Sequence, residues 1–137
     1  VRTVVVDANV FVSFFIDRHE QQRIAARELL EGADAGDIAA VVPQAVVFEV
    51  AYVLQSQYGI TGERLATIIR ALVSFPGVEI IDECPWKRVF ELWPDSLSGL
   101  GDASIVAVAT THRLDVLATF DQKLAKRAKD LGIVPYW

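Results

Sequence analysis

The sequence predicts an α/β three-layer sandwich built on a parallel sheet. Two observations predict it. Short apolar runs recur at Thr3–Val6, Ile38–Val42, Val78–Ile81 and Val116–Phe120, and each is separated from the next by helical patterns. None of these runs alternates with polar residues, so both of their faces are expected to be covered, as in parallel sheets flanked by helices. No internal repeat, low-complexity tract or linker interrupts the pattern. At 137 residues the expectation is a single domain over 1–137.

The elements follow in order. Thr3–Val6 is a buried strand ending at Asp7-Ala8-Asn9, and Val10–Ile16 is a short helix. Glu20–Leu30 keeps helical spacing through Ile24, Arg27, Glu28 and Leu30, and the stretch Gly32–Gly36 is expected to break it. Ile38–Val42 is the second strand, stopped by Pro43. Gln44–Tyr58 is an apolar helix closed by Gly59, and Thr61–Phe75 is another, with Thr61 as its cap and Leu65, Ile68, Ile69 and Leu72 as its stripe. Pro76-Gly77 leads into the third strand, Val78–Ile81. Pro85–Leu92 is a short helix started by proline. A Ser- and Gly-rich loop over Pro94–Gly101 precedes an apolar helix, Asp102–His112. Val116–Phe120 is the fourth strand, Asp121–Leu131 a basic helix closed by Gly132, and Ile133-Val134 begin a last short strand.

Composition removes several function classes. A hydrophobic content of 53% excludes intrinsic disorder. No run reaches the roughly 18 apolar residues of a membrane span. Val1–Ile16 is apolar, but Asp7 interrupts it, only Arg2 precedes it, and no small-residue cleavage site follows, so it does not read as a signal peptide. Cys84 is alone, which excludes an intramolecular disulfide and a cysteine-rich zinc site. The chain reads as cytoplasmic, with no membrane partner. A net charge of −5 argues against a protein that coats duplexes. It argues less against a nuclease whose acids are neutralised by metal ions.

Open parallel sheets place their sites beyond the carboxyl ends of strands. Asp7 leaves the first strand, Asp121 leaves the fourth, and Asp102 opens the helix before that strand. Asp102 and Asp121, each taken singly, also read as helix caps. Asp7 is followed two residues later by Asn9, and side chains two apart on extended backbone share a face. Glu49 sits in an apolar helix whose near neighbours Ala45, Val46, Tyr52 and Val53 include no cation. It either reaches solvent at the helix edge or faces a cation in a cleft, because an unpaired buried carboxylate costs several kcal/mol. Such acids, if gathered, need a counter-charge. His19 and His112 are isolated, and oxygen ligands alone favour Mg²⁺ or Mn²⁺, ions suited to metal-assisted phosphodiester hydrolysis.

The string Val5-Val6-Asp7-Ala8-Asn9-Val10, Glu49 in its apolar helix, Gly101-Asp102-Ala103 and Thr119-Phe120-Asp121 together resemble the PIN-domain ribonucleases, in particular VapC-type toxins of toxin–antitoxin pairs. The resemblance covers nearly the whole chain. It implies a parallel five-stranded sheet in the order 3-2-1-4-5 and a homodimer. It implies an endoribonuclease acting on RNA, and a small protein antitoxin as partner. Asp7, Glu49, Asp102 and Asp121 would form the catalytic, metal-binding quartet for one or two Mg²⁺ or Mn²⁺ ions. Asp7 and Asp102 would be the principal ligands. Asn9 and Thr119 would support them, with Thr119 and Asp121 on one strand face.

Other features keep two readings. Lys123, Lys126, Arg127 and Lys129 read as a solvated face or as an RNA-phosphate rim, and Arg18, Arg23 and Arg27 share that ambiguity. Trp86 and Trp93 read as core or, if exposed, as a partner groove or base-stacking platform. Two alternatives to the ribonuclease stand beside it. A haloacid dehalogenase-like phosphatase also puts Asp after its first strand, but Asn9 replaces the second acid that chemistry needs. A non-catalytic binding module could retain the same fold.

Overall fold

The computed structural model describes residues 1–137. The chain forms β1 (Arg2–Val6), α1 (Ala8–Phe15), α2 (Glu20–Asp34), β2 (Ile38–Pro43), α3 (Gln44–Tyr58), α4 (Gly62–Val73), β3 (Val78–Ile81), α5 (Trp86–Leu92), α6 (Leu100–Thr111), β4 (Val116–Ala118), α7 (Gln122–Asp130) and β5 (Val134–Pro135). The strands make one five-stranded sheet in the order β3-β2-β1-β4-β5. Every pairing is parallel; β1 runs Arg2 against Ile38 on one side and Val5 against Leu117 on the other. This is the three-layer α/β arrangement and strand order expected.

Val4, Val5 and Val6 are each 0% exposed, although successive side chains point to opposite sides of the sheet. Both faces of β1 are therefore covered. They belong to a hydrophobic core of 34 buried residues that draws on all three layers. From β1 the chain builds outward through β2 and β3, then crosses to the other side of β1 for β4 and β5. The order reverses between β1 and β4. There the helices leaving the two strands diverge and open a crevice, the usual place for a site in such sheets.

The structure moves several boundaries. Gly32 does not break α2, which continues to Asp34. A methyl group on Gly32 would press on the Ile38 side chain, so glycine serves close helix–strand packing here. The turn comes at Gly36, with φ +82°. Thr61 occupies the cap position of α4 but makes no side-chain cap bond. Pro85 is the cap of α5 rather than its first helical residue. Strand β4 ends at Ala118, two residues early, because the next backbone N–H groups bond to side chains: Phe120 N to Asn9 Oδ1 and Asp121 N to Thr119 Oγ1. Helix α6 begins at Leu100, so Asp102 lies inside its first turn and does not cap it.

Gly77 is a sensitive backbone position. Its φ is +81°, and a Cβ there would collide with the backbone carbonyl of Ala33 at the end of α2. Gly36 has a similar φ but open space around it. Gly77→Ala should therefore lower stability by about 2 kcal/mol or more, and Gly36→Ala by about 1 kcal/mol. Urea denaturation of the two variants checks this; equal losses would show that the contact with Ala33 carries no weight.

Candidate active site

Asp7 follows β1 directly, and its backbone still belongs to the sheet, with its N–H donating to Ala118 O at 2.9 Å. The residue is 5% exposed. Its carboxylate is held from three sides. Oδ1 accepts from Ala8 N at 2.7 Å, while Oδ2 accepts from Thr119 Oγ1 at 2.7 Å and from Asn9 Nδ2 at 3.2 Å. Asn9 also donates to Thr119 Oγ1 at 3.2 Å and accepts from Phe120 N at 3.0 Å. Asp7, Asn9 and Thr119 thus form one network that ties the end of β1 to the end of β4. No buried side-chain polar atom in the protein lacks a partner.

Asp121 caps α7. Its Oδ1 accepts from Lys123 N at 2.9 Å and Leu124 N at 3.2 Å. The capping reading is correct for Asp121, yet it leaves Oδ2 unengaged. Asp7, Glu49, Asp102 and Asp121 all line one cavity of about 180 Å³, together with Asn9, Arg18 and Gln57. Glu49 stands at its open rim with an exposed side chain. It reaches solvent at the helix edge and also lines the cavity, where no cationic side chain pairs with it.

Acids outnumber cations in this cavity four to one. The protein's two ion pairs, Arg23–Asp17 and Arg88–Glu91, touch none of the four acids. Arg18 lines the cavity, but its Nε donates to Ser13 Oγ at 3.0 Å and its Nη2 to Asn9 O at 3.2 Å. Burial, then the charges of Asp7 and Asp121, raise the Asp102 carboxyl from 3.8 to about 6. Asp7 is also raised: its burial and the charge of Asp121 outweigh the hydrogen bonds from Thr119 and Ala8. Loss of water from its cleft side, then Asp7 and Asp102, push Glu49 up.

The donor set suits a hard cation. Each carboxylate oxygen accepts about two hydrogen bonds. Asp7 Oδ1 therefore keeps one acceptor position, Asp121 keeps Oδ2, and Glu49 and Asp102 carry no hydrogen bond from the chain. However, no group of three His, Cys, Asp or Glu side chains stands close enough to hold an ion unaided. Such a site favours an ion that accepts one or two carboxylates and keeps its remaining waters, which is the habit of Mg²⁺.

Sequence reasoning did not single out Gln57, which lies eight residues after Glu49 on the same face of α3, and left Arg18 undecided. None of Lys123, Lys126 and Arg127 lines the acidic cavity. They face a separate surface cleft with Asp130, and Lys126 also lines a larger one beside Thr119. Trp86 is 53% exposed and stacks on Phe90, itself 62% exposed, so Trp86 is not a core residue.

The four acids thus line one cavity beyond the switch point of a parallel α/β sheet. The PIN domain family model matches residues 4–130, and the chain belongs to that family. No curated protein matches it. Three solved structures share the fold. VapC20 of Mycobacterium tuberculosis, a toxin that cleaves the sarcin-ricin loop, is 16% identical, with a TM-score of 0.69 over 96% of each chain. PAE2754 of Pyrobaculum aerophilum is 16% identical, with a TM-score of 0.66 over 98% of this chain and 89% of its own. A domain of a functionally unknown protein from Methanocaldococcus jannaschii is 28% identical, with a TM-score of 0.63 over 100% of this chain and 91% of its own. Membership in the PIN family, together with Asn9 being committed to Asp7, Thr119 and Phe120, removes the haloacid dehalogenase-like reading.

Two outcomes follow from the site. A folded carboxyl held above its unfolded value stabilises the fold below pH about 4, and that contribution is lost as pH rises through about 6. Asp102→Asn should therefore raise Tm at pH 7.5 in EDTA by roughly 2–5 °C, and the gain should vanish near pH 4. Thermal melts at the two pH values check the sign. Thr119→Val removes one hydroxyl that serves Asp7, Asn9 and Asp121, and should cost about 2 kcal/mol by urea denaturation.

Proposed function

We propose that the chain, as one PIN-like domain over 1–137, is a Mg²⁺- or Mn²⁺-dependent endoribonuclease and the toxin of a toxin–antitoxin pair. One observation carries the reading: four acids distant in sequence line a single cavity, and no cationic side chain pairs with any of them. Such an arrangement is destabilising by itself, since like charges about 4 Å apart repel by ~1 kcal/mol in water and by more in a partly dry cleft. Its use is to gather a divalent ion and, with it, a phosphodiester. The PIN family and the fold shared with a sarcin-ricin-loop-cleaving toxin support RNA as substrate. The toxin role implies a small antitoxin that covers the cleft, a cytoplasmic site of action and a homodimer. No helix is long and apolar enough to cross a membrane.

When bound, Mg²⁺ or Mn²⁺ supplies an activated water and positive charge for the phosphate oxygens. The chain's residues set the stage for that chemistry. Asp7 and Asp102 would hold one ion, with one or two ions accommodated by the four acids. Thr119, Asn9 and Ala8 fix the Asp7 carboxylate so that one acceptor position of Oδ1 remains open to the cleft. Asp121 is oriented by its two cap bonds, both to Oδ1, which leave Oδ2 free to accept. Glu49, raised and at the rim, is placed to orient water or to hold a second ion. No serine in the cavity has a histidine base, so no protein nucleophile is needed.

The test is cleavage of a mixed RNA pool with Mg²⁺, with Mn²⁺ and with EDTA. Cleavage should require the metal. Asp7→Asn and Asp102→Asn should each lower it on the order of a hundredfold. Asp102→Asn is the more telling, because it should lose activity while gaining stability. Equal cleavage by wild type and both variants would reject the assignment. Metal-independent RNA binding without cleavage, in protein free of antitoxin, would favour the binding-module reading.

A further inference from the structure

The largest concavity is not the acidic cavity but a cleft of about 460 Å³ on the other side of Thr119. No Asp or Glu side chain lines it, in a sequence with a net charge of −5. Lys126 and Lys129, one turn apart on α7, bring ammonium groups to one wall. Phe120 and Trp137 form another wall and stack with ring centroids 4.6 Å apart and planes at 16°. Trp137 is 46% exposed, a costly disposition for a large aromatic side chain that serves packing alone.

Two of the polar groups between these walls, Gln22 and His19, can donate into the cleft. Gln22 Oε1 accepts from Ser13 Oγ at 3.0 Å, which leaves its amide N–H groups for the cleft. His19 Nδ1 accepts from Gln22 N at 3.1 Å, so the neutral ring carries its proton on Nε2. The cleft also adjoins the acids. Thr119 lines it and donates to Asp7 Oδ2, and Ser13 bridges Gln22 to Arg18, which lines the acidic cavity.

We propose that this cleft is a subsite for one unpaired nucleotide flanking the scissile phosphate: its base extends the Phe120–Trp137 stack, and its phosphate meets Lys126 and Lys129. The proposal rests on RNA being the substrate. Stacking on an aromatic pair tolerates any base but needs the base out of a helix, so the subsite selects single-stranded or looped RNA. His19 and Gln22 offer hydrogen bonds to acceptors on the base edge or the phosphate. Lys123 and Arg127 lie outside this cleft and serve at most the more distant backbone.

The experiment is fluorescence anisotropy with an end-labelled, mixed-sequence single-stranded RNA decanucleotide in EDTA at low salt, against the same sequence as a duplex. Wild type should bind the single strand more tightly. Trp137→Ala should weaken binding about fivefold to a hundredfold, while Trp137→Phe should retain most of it. Lys126→Ala with Lys129→Ala, both exposed, should weaken binding and reduce the salt slope by about 0.7. Unchanged binding in Trp137→Ala and in the double-lysine variant overturns the subsite, and so does failure of wild type to bind the single strand. The two readings separate cleanly. Losses in these variants without any metal-dependent cleavage by wild type would uphold the subsite and reject the nuclease. Metal-dependent cleavage with binding indifferent to them would do the reverse.

Discussion

The bond from the Thr119 hydroxyl to the Asp7 carboxylate is the contact on which the rest of the site depends. Asp7 is 5% exposed, lies near other acids and meets no cation, so its charge has to be carried by hydrogen bonds. Thr119 supplies the shorter of the two bonds to Oδ2 and receives one from Asn9 and one from the Asp121 backbone. A single hydroxyl therefore couples three site residues from two ends of the chain. Asp7 remains raised despite this support. The hydrogen bonds hold the carboxylate in place but do not offset its burial.

The fold makes that coupling possible. β1 and β4 are neighbours in the sheet although more than 100 residues separate Asp7 from Thr119, as the sequence distance of their bond shows. The chain leaves both strands at the same edge. Their ends are joined by side chains where the ladder stops. An unfavourable acidic cavity survives because it sits on β1, whose valines are wholly buried between two helical layers. The core offsets the electrostatic cost of the site, and substitutions that relieve this cost should trade function for stability.

The sequence made the strands legible because parallel strands buried on both faces read as unbroken apolar runs. Asp7 and Asp121 stand out at the ends of such runs, Asp102 near the start of the helix before the fourth, and Glu49 because no cation lies within a helical turn of it. Three features were not legible. Helix α2 runs through Gly32, where a local pattern reads a break, and the reason for a glycine there, its close approach to Ile38 of the adjoining strand, is not local. The early end of β4 depends on Asn9, more than 100 residues away. The basic helix α7 was legible as basic, but its rotation was not: that rotation turns Lys126 and Lys129 toward Phe120 and Trp137 and away from the acids.

That rotation settles a difficulty raised by the charge of the whole chain. With a net charge of −5, long-range attraction cannot bring a polyanion to four acids. Capture of the proposed RNA would have to be local, and to occur where the acids do not oppose it. A cleft that bears two lysines and no Asp or Glu side chain, one wall-thickness from Asp7, would meet both conditions. The wall itself is Thr119, the residue that orients Asp7. A strand held in the larger cleft would therefore be placed by the same side chain that shapes the acidic one. Position along the RNA and position of the carboxylate would then be fixed against a common reference, so that binding energy gained at a base is converted into alignment at the phosphate.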